Sequence, residues 1–385
     1  MEKIDWQHTF KLNILMLKLT GVWPPGEGTY ESNLYTVYAS ISFILFHFGF
    51  IFFQTVNLYF IRDDLQAVTG TIFILITDIG ASLKTYGLVK NMKMLKQMMI
   101  TTNCDLFQPK NLHQKDIIQP GIQTWRIIVL TFGVFCSGWL ILCSLFPILD
   151  KSSKDYRLPF LAWYPYNTKT SPQYELTYLY QAVAINFLAV VNVSIDSLIA
   201  ALNMYVGAQF DILCDDLRNL HSQETSAEVN QKLINCVHHH REILKFAEYA
   251  SNFYNWLLFV QFFVGGISIG LTMFQLTVVV PLSSQFHALV CFATCITVQV
   301  FLYCWFGNEI EIKSSKLPYA IFECDWTDLS PEVKKNMLFF GMRLQKSLQV
   351  SAFGLFYLSL ETFVKILRTA YSYFALLRQV NKPAE

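Results

Sequence analysis

Charge is scarce in this chain: Asp, Glu, Lys and Arg make up 15% of 385 residues, where soluble domains average about a quarter. What charge there is nearly cancels, with 29 basic and 28 acidic residues, so no footprint for nucleic acid exists. The nine cysteines never fall at the paired spacing of a zinc site. Cys136, Cys143, Cys291, Cys295 and Cys304 lie in apolar runs and the others in polar connecting segments, so free buried thiols are expected. The leader 1–33 is charged throughout and lacks the long apolar core of a cleavable signal, leaving the first crossing helix to act as its own insertion signal. No internal repeat is visible, which speaks against a transporter built from repeats. His238-His239-His240 lacks the spacing of a zinc-protease helix and is expected on a solvated face. No nucleophile–base pair, phosphate loop or metal cluster supports an enzyme, and no cofactor is expected. The single Asn-X-Ser/Thr triplet, Asn192-Val193-Ser194, sits inside an apolar run where glycosylation cannot reach.

What is abundant is apolar length: 53% of the residues are hydrophobic and 16% aromatic. Seven runs, near 34–59, 68–89, 125–148, 175–207, 254–282, 286–305 and 356–380, are each long enough to cross a bilayer core of roughly 30 Å as a helix. Lys and Arg crowd into alternate connections. Segments 1–33, 90–124, 208–253 and 306–355 hold eighteen of them; 60–67, 149–174, 283–285 and 374–385 hold seven. Positive segments stay in the cytoplasm, which predicts an all-α membrane protein with the N-terminus inside and the C-terminus outside. A G-protein-coupled receptor requires the reverse orientation.

Between the runs the sequence still reads as helix. Phe10, Ile14 and Leu17 recur at helical spacing with Lys11 and Lys18 opposite, which predicts a leader helix lying at the membrane interface before Trp23-Pro24-Pro25-Gly26 breaks it. In 208–253, Phe210, Leu213, Leu217 and Leu220 continue the fourth helix beyond the membrane, and Val229, Leu233 and Val237 begin another that leads into the fifth span. Ser330 as N-cap, Pro331 at the first position and Glu332 near the dipole mark a helix start. Its stripe Val333, Met337, Phe340 and Leu344 needs a protein partner; it is expected to pack with 208–253 below the membrane and is predicted to be a subunit contact.

The last run carries polar groups along one face: Thr362, Lys365, Thr369, Ser372, Leu376 and Gln379, with Leu360, Phe363, Val364, Leu367, Tyr371 and Phe374 opposite. At bilayer depth such a stripe faces protein or water, never lipid. Periodicity alone leaves a shared pore wall and a helix packed on its neighbours both open.

Two segments carry a resemblance. Ser359-Leu360-Glu361-Thr362-Phe363, followed by Ile366-Leu367-Arg368-Thr369-Ala370-Tyr371-Ser372-Tyr373-Phe374, resembles the C-terminal signature of insect odorant receptors. Leu17-Lys18-Leu19-Thr20-Gly21-Val22-Trp23-Pro24-Pro25 is similar to the family's N-terminal pattern, as are the length, span count and inverted topology. The resemblance implies a heteromeric, odour-gated, poorly selective cation channel in the plasma membrane of a sensory neuron dendrite. Four subunits, shared between an odour-tuning chain and a co-receptor, surround one pore lined by the seventh helix. Leu376 and Val380 fall at the family's hydrophobic gate and Gln379 at its polar constriction, with Ser372 and Thr369 further along the wall. The chain lacks the co-receptor's long second cytoplasmic loop and its ending, and so resembles a tuning subunit. A gustatory receptor channel shares the topology, but the two end motifs favour the odorant branch.

On this reading the chain divides into six parts. These are a cytoplasmic leader (1–33), helices one to four forming the ligand bundle (34–207), a cytoplasmic helical extension (208–253), helices five and six (254–305), cytoplasmic anchor helices (306–355), and the pore helix with a short external tail (356–385). The resemblance places a small volatile apolar ligand in the outer half of the bundle, among membrane lipid. That selects Thr69, Phe73, Ile76, Phe135, Trp139, Tyr178, Gln181, Phe274 and His287. Asp78 and Asp196 fall toward the inner half, where a structural polar contact or a wet cavity is expected.

Overall fold

In a computed structural model, residues 4–26, 30–149, 156–220 and 225–380 are described, and they fold as a helical bundle. Six helices are long and apolar enough to cross a membrane: Leu34–Phe60, Leu65–Lys90, Leu112–Ile148, Gln173–Arg218, Ser226–Val278 and Ser284–Phe322. A last helix, α13 (Leu360–Val380), has the length but a more polar sequence. The tail 381–385 and the side chain of Val380 lie outside the described residues.

The leader forms α1 (Trp6–Thr9) and α2 (Lys11–Leu19), and α2 packs on α8 (Gln173–Arg218). Trp6 meets Tyr205 edge-on at 4.8 Å, and Phe10 and Leu17 are fully buried, whereas Leu12, Leu15 and Leu19 stay exposed. The first long helix is continuous in direction but changes winding: α3 (Leu34–Ser42) passes through a π-helical stretch (Phe43–Gly49) into α4 (Phe50–Phe60). Asp64 caps α5 (Leu65–Lys90) by accepting from the N–H groups of Gln66 and Ala67, which satisfies two orphan donors. α6 (Met92–Thr102) follows, and α7 (Leu112–Leu149) continues past two internal prolines, Pro120 and Pro147.

The 46 residues of α8 measure about 69 Å at 1.5 Å per residue, more than twice a bilayer core. α9 (Ser226–Val278) is longer still and starts on a full capping box between Thr225 and Glu228. Beyond the membrane stretch, α8 packs against α10 (Ser284–Ser315) and α11 (Leu317–Phe322), and α9 against α10 and α12 (Pro331–Leu344), to form what we term the anchor end. A two-residue antiparallel ribbon, β1 (Ser351–Ala352) with β2 (Phe356–Tyr357), leads into α13.

α13 is seated by close backbone approaches. A Cβ on Gly307 of α10 would lie 2.2 Å from Leu358 Cβ, and one on Gly270 of α9 would lie 2.8 Å from the Ala370 carbonyl oxygen. Small residues allow these crossings, as membrane helices without a hydrophobic driving force require. All nine cysteines are free, and Cys104 is exposed rather than buried.

Candidate ligand cavity and the open face of the last helix

Four helices leave a cavity of about 160 Å³ between them, far more than a water needs. α5 contributes Phe73, Ile74, Thr77 and Asp78; α7 contributes Phe132, Cys136, Trp139 and Leu140. α8 adds Ile185, Leu188, Ala189 and Asn192, α10 adds Leu289, Phe292, Cys295, Ile296 and Gln299, and Phe160 comes from the α7–α8 connection. The lining is overwhelmingly apolar, with Phe73 edge-on to Phe292 at 4.9 Å.

Its few polar groups are mostly committed. Thr77 donates to the Phe73 carbonyl at 2.8 Å, Gln54 donates to Asp78 at 3.0 Å, and Gln299 donates to Asp196. Asn192 differs: its Oδ1 is buried without a hydrogen-bond partner among the described residues. A polar atom left so costs free energy until something bonds it.

Toward the anchor end the cavity rests on a buried polar network. Lys84 donates to Asp196 at 2.6 Å and to Gln261 at 2.7 Å, and Tyr303 and Gln299 also donate to Asp196. The network ties α5, α8, α9 and α10 together. Asp196 is thus a structural contact, as its depth suggested, but its partner is Lys84, a single lysine inside the second apolar run. Asp78 bonds Gln54 and also borders the cavity.

The structure separates the nine candidate ligand residues. Phe73 and Trp139 stand on the cavity wall. Thr69 is buried nearer the loop end, donating to the Leu65 carbonyl and accepting from Gln275. Ile76 is half-buried off the wall, and Phe274 is buried within the bundle. On α7 the wall residues recur at 132, 136, 139 and 143, which turns Phe135 outward. Tyr178 borders an open groove between α7 and α8 and donates to the Ser144 carbonyl. Gln181 is buried against the α7–α8 connection, and His287 is exposed, with Nδ1 2.8 Å from the Ser283 carbonyl. Sequence reasoning missed the α8 wall of Ile185, Leu188, Ala189 and Asn192. An asparagine inside an apolar run was the available signal.

α13 buries Thr362, Ile366 and Ala370 against α9 and α10, while Lys365, Thr369, Ser372, Leu376 and Gln379 remain open. The open face also holds Val364 and Tyr371, so the packed side is narrower than the sequence pattern implied. Lys365 pairs with Glu361 at 2.6 Å, and the hydroxyls of Thr369 and Ser372 donate to carbonyls of their own helix.

In the anchor, Val333, Met337, Phe340 and Leu344 are buried inside this chain's own core, against its own α9 and α11, rather than left open for another subunit. The apolar residues that α12 leaves exposed are Leu338, Phe339 and Met342. The histidine run is also not the solvated face expected. His238 is exposed, but His239 is buried with Nε2 3.1 Å from Gln209 Oε1, and His240 is buried edge-on to Phe340 at 5.6 Å. Burial pushes His239 down to about 3, with the nearby Lys110 charge adding to it. His240 falls to about 4 by burial and the Arg343 charge.

The 7tm Odorant receptor family matches residues 64–371. Odorant receptor Or1 of Anopheles gambiae is 25% identical, across 98% of this chain and 96% of that protein. Odorant receptor 46a, isoform A, of Drosophila melanogaster is 24% identical across 95% of this chain and 96% of its own length. Among solved structures, the olfactory receptor OR5 of Machilis hrabei in complex with eugenol superposes with a TM-score of 0.85 at 19% identity, covering 98% of this chain and all of that one.

Proposed function

Because this chain belongs to the 7tm Odorant receptor family, a family of sensory receptors and not of enzymes, we propose that it is the odour-tuning subunit of a ligand-gated cation channel. It assembles with a co-receptor as a heterotetramer in the plasma membrane of a sensory dendrite. α13 is the seventh crossing helix and lines the pore, with Leu376 and Val380 at the gate, Gln379 at a polar constriction, and Ser372 and Thr369 along the wall. The N-terminus is cytoplasmic and the C-terminus external. A small volatile ligand occupies the cavity walled by Phe73 and Trp139, in the outer half of the bundle.

The observation that carries this reading is the open stripe of α13. Its 21 residues span about 32 Å, enough to cross a bilayer core, yet Lys365, Thr369, Ser372 and Gln379 find no cover among the described residues. Lipid cannot face that stripe, so water or another subunit must. The bias of Lys and Arg supports this orientation. In the anchor, the exposed Leu338, Phe339 and Met342 are the surface offered to a neighbouring subunit.

Currents from cells carrying this chain with and without a co-receptor, over a panel of short volatile alcohols, phenols and esters, test the proposal. Odour-evoked cation current only with both chains is expected, and a tag after Glu385 should stain on intact cells. Responses that need a G protein, or a tag reached only after permeabilisation, would overturn it.

A further inference from the structure

Next to the ligand cavity, at the end of the bundle where α7 joins α8, lies a second space of about 740 Å³ whose mixed lining includes Asp64, Gln66, Arg157, Lys169 and Gln275. The two spaces share Phe73, Ile74, Cys143, Phe160, Ala288 and Leu289, which therefore stand at the boundary between them.

Five of those six side chains stand on helices α5, α7 and α10. Phe160 alone belongs to a non-helical segment. Gln181 holds it by its backbone. The Phe160 N–H donates to Gln181 Oε1 at 3.0 Å, and Gln181 Nε2 donates back to the Phe160 carbonyl at 3.1 Å. The same nitrogen donates to the Tyr164 hydroxyl at 3.1 Å. Gln181 is fully buried and does not border the cavity, so its amide serves the loop backbone rather than a ligand. The Phe160 ring packs edge-on against Phe50 at 6.0 Å, inside a cluster that includes Ala184 and Ile185.

We propose that Phe160 is the lid through which a ligand passes from the outer vestibule to the cavity, and that Gln181 is the positioning residue that keeps it shut. The proposal rests on the cavity being the odour site. A lid closed over both the empty and the filled cavity slows arrival and departure by the same factor. Loosening it therefore accelerates both and leaves the equilibrium unchanged. A ligand contact behaves otherwise, because its loss hastens departure alone and weakens potency.

Whole-cell current under rapid perfusion, with the strongest agonist of a volatile alcohol, phenol and ester panel, separates these cases. Gln181→Leu, co-expressed with the co-receptor and matched for surface level, should speed both onset and washout by roughly tenfold and leave the half-maximal concentration where it was. Phe160→Ala, which trims the lid without touching the buried glutamine, should speed both and also lower potency. Unchanged time courses in both variants overturn the lid. Faster washout with unchanged onset and weaker potency in Gln181→Leu overturns it too, by making Gln181 a ligand contact. Ala189→Trp fills the cavity and keeps the two readings apart. If it silences the agonist while the lid variants do nothing, only the lid falls; if the agonist still acts, the cavity assignment falls and the lid with it.

Discussion

Lys84 on α5 and Asp196 on α8 form an ion pair 2.6 Å long in which both side chains are buried. Neither charge would be tolerable alone at that depth. Asp196 also accepts from Gln299 and Tyr303, and Lys84 donates to Gln261, so hydrogen bonds to α9 and α10 enclose the pair.

The first prediction follows from that enclosure. Lys84→Met or Asp196→Leu alone strands a buried charge and should cost about 3–5 kcal/mol. Loss of surface staining and a lower melting temperature in detergent would report it. The double variant should recover much of the loss, because no unpaired charge remains. Losses that simply add would show that the pair is not coupled.

The second concerns the cavity. Phe73→Ala or Trp139→Ala should shift agonist potency by roughly 5- to 150-fold, the range for about 1–3 kcal/mol of lost contact. Phe135→Ala and His287→Ala should leave it unchanged, since neither borders the cavity. Asn192→Leu should favour a methyl ether over its parent alcohol, because the unpaired Oδ1 that a hydroxyl could satisfy is gone. Equal potency shifts for wall and off-wall residues would place the site elsewhere.

Why the sequence disclosed so much of the fold and less of the site comes down to range. Long apolar runs, Ser330-Pro331 and the 3.6-residue stripes report local periodicity, and they placed the helices, the extension of α8 and the polar face of α13. Which face of α7 or α8 meets the cavity depends on how helices rotate against each other. Phe135 and Trp139 are equally aromatic, and only packing separates them. Gln181 was drawn into the ligand set by its polarity, yet that polarity holds a loop. Lys84 could have been noticed as the lone cation inside its run. Met337 misled because a stripe shows that a surface needs covering but not by what; the histidine run misled because polarity alone does not show which rings packing will bury.

The third prediction is a pH dependence. His239 and His240 are held at about 3 and about 4, against an ordinary 6.5. Below 6.5 the unfolded chain takes up protons that the folded anchor refuses, so stability is complete above 6.5 and falls as pH drops toward those values. At pH 5 each ring should account for about 2 kcal/mol. Melting of the detergent-solubilised protein between pH 7.5 and 5 tests this, with His239→Gln and His240→Leu flattening the slope. A slope unchanged in both variants would rule out these rings as its source.

Assembly supplies the fourth. Met337 and Leu344 are buried within the chain, whereas Leu338, Phe339 and Met342 are exposed. Leu338→Asp with Met342→Asp should reduce co-purification with a co-receptor while leaving the single chain's melting nearly unchanged. Met337→Asp with Leu344→Asp should instead unfold the anchor. If the exposed pair leaves co-purification intact, the subunit contact lies on another face.

The last prediction is the gate. Leu376 and Gln379 sit three residues apart on the open face of α13, beyond Thr369 and Ser372. When several subunits bring such helices to one axis, a ring of leucine narrows the path with a surface that sheds water, and ions cannot pass a dry constriction. Leu376→Ser keeps the helix but lets the ring wet, so leak current without odorant should rise. The rise should be partial if co-receptor subunits keep their own apolar ring. Gln379→Ala leaves the apolar ring alone and should change conductance or cation preference while the closed state holds. Both variants must first be shown at the surface. If they then match the unmodified chain in leak, conductance and selectivity, the stripe is a packing surface and the pore is lined by something else.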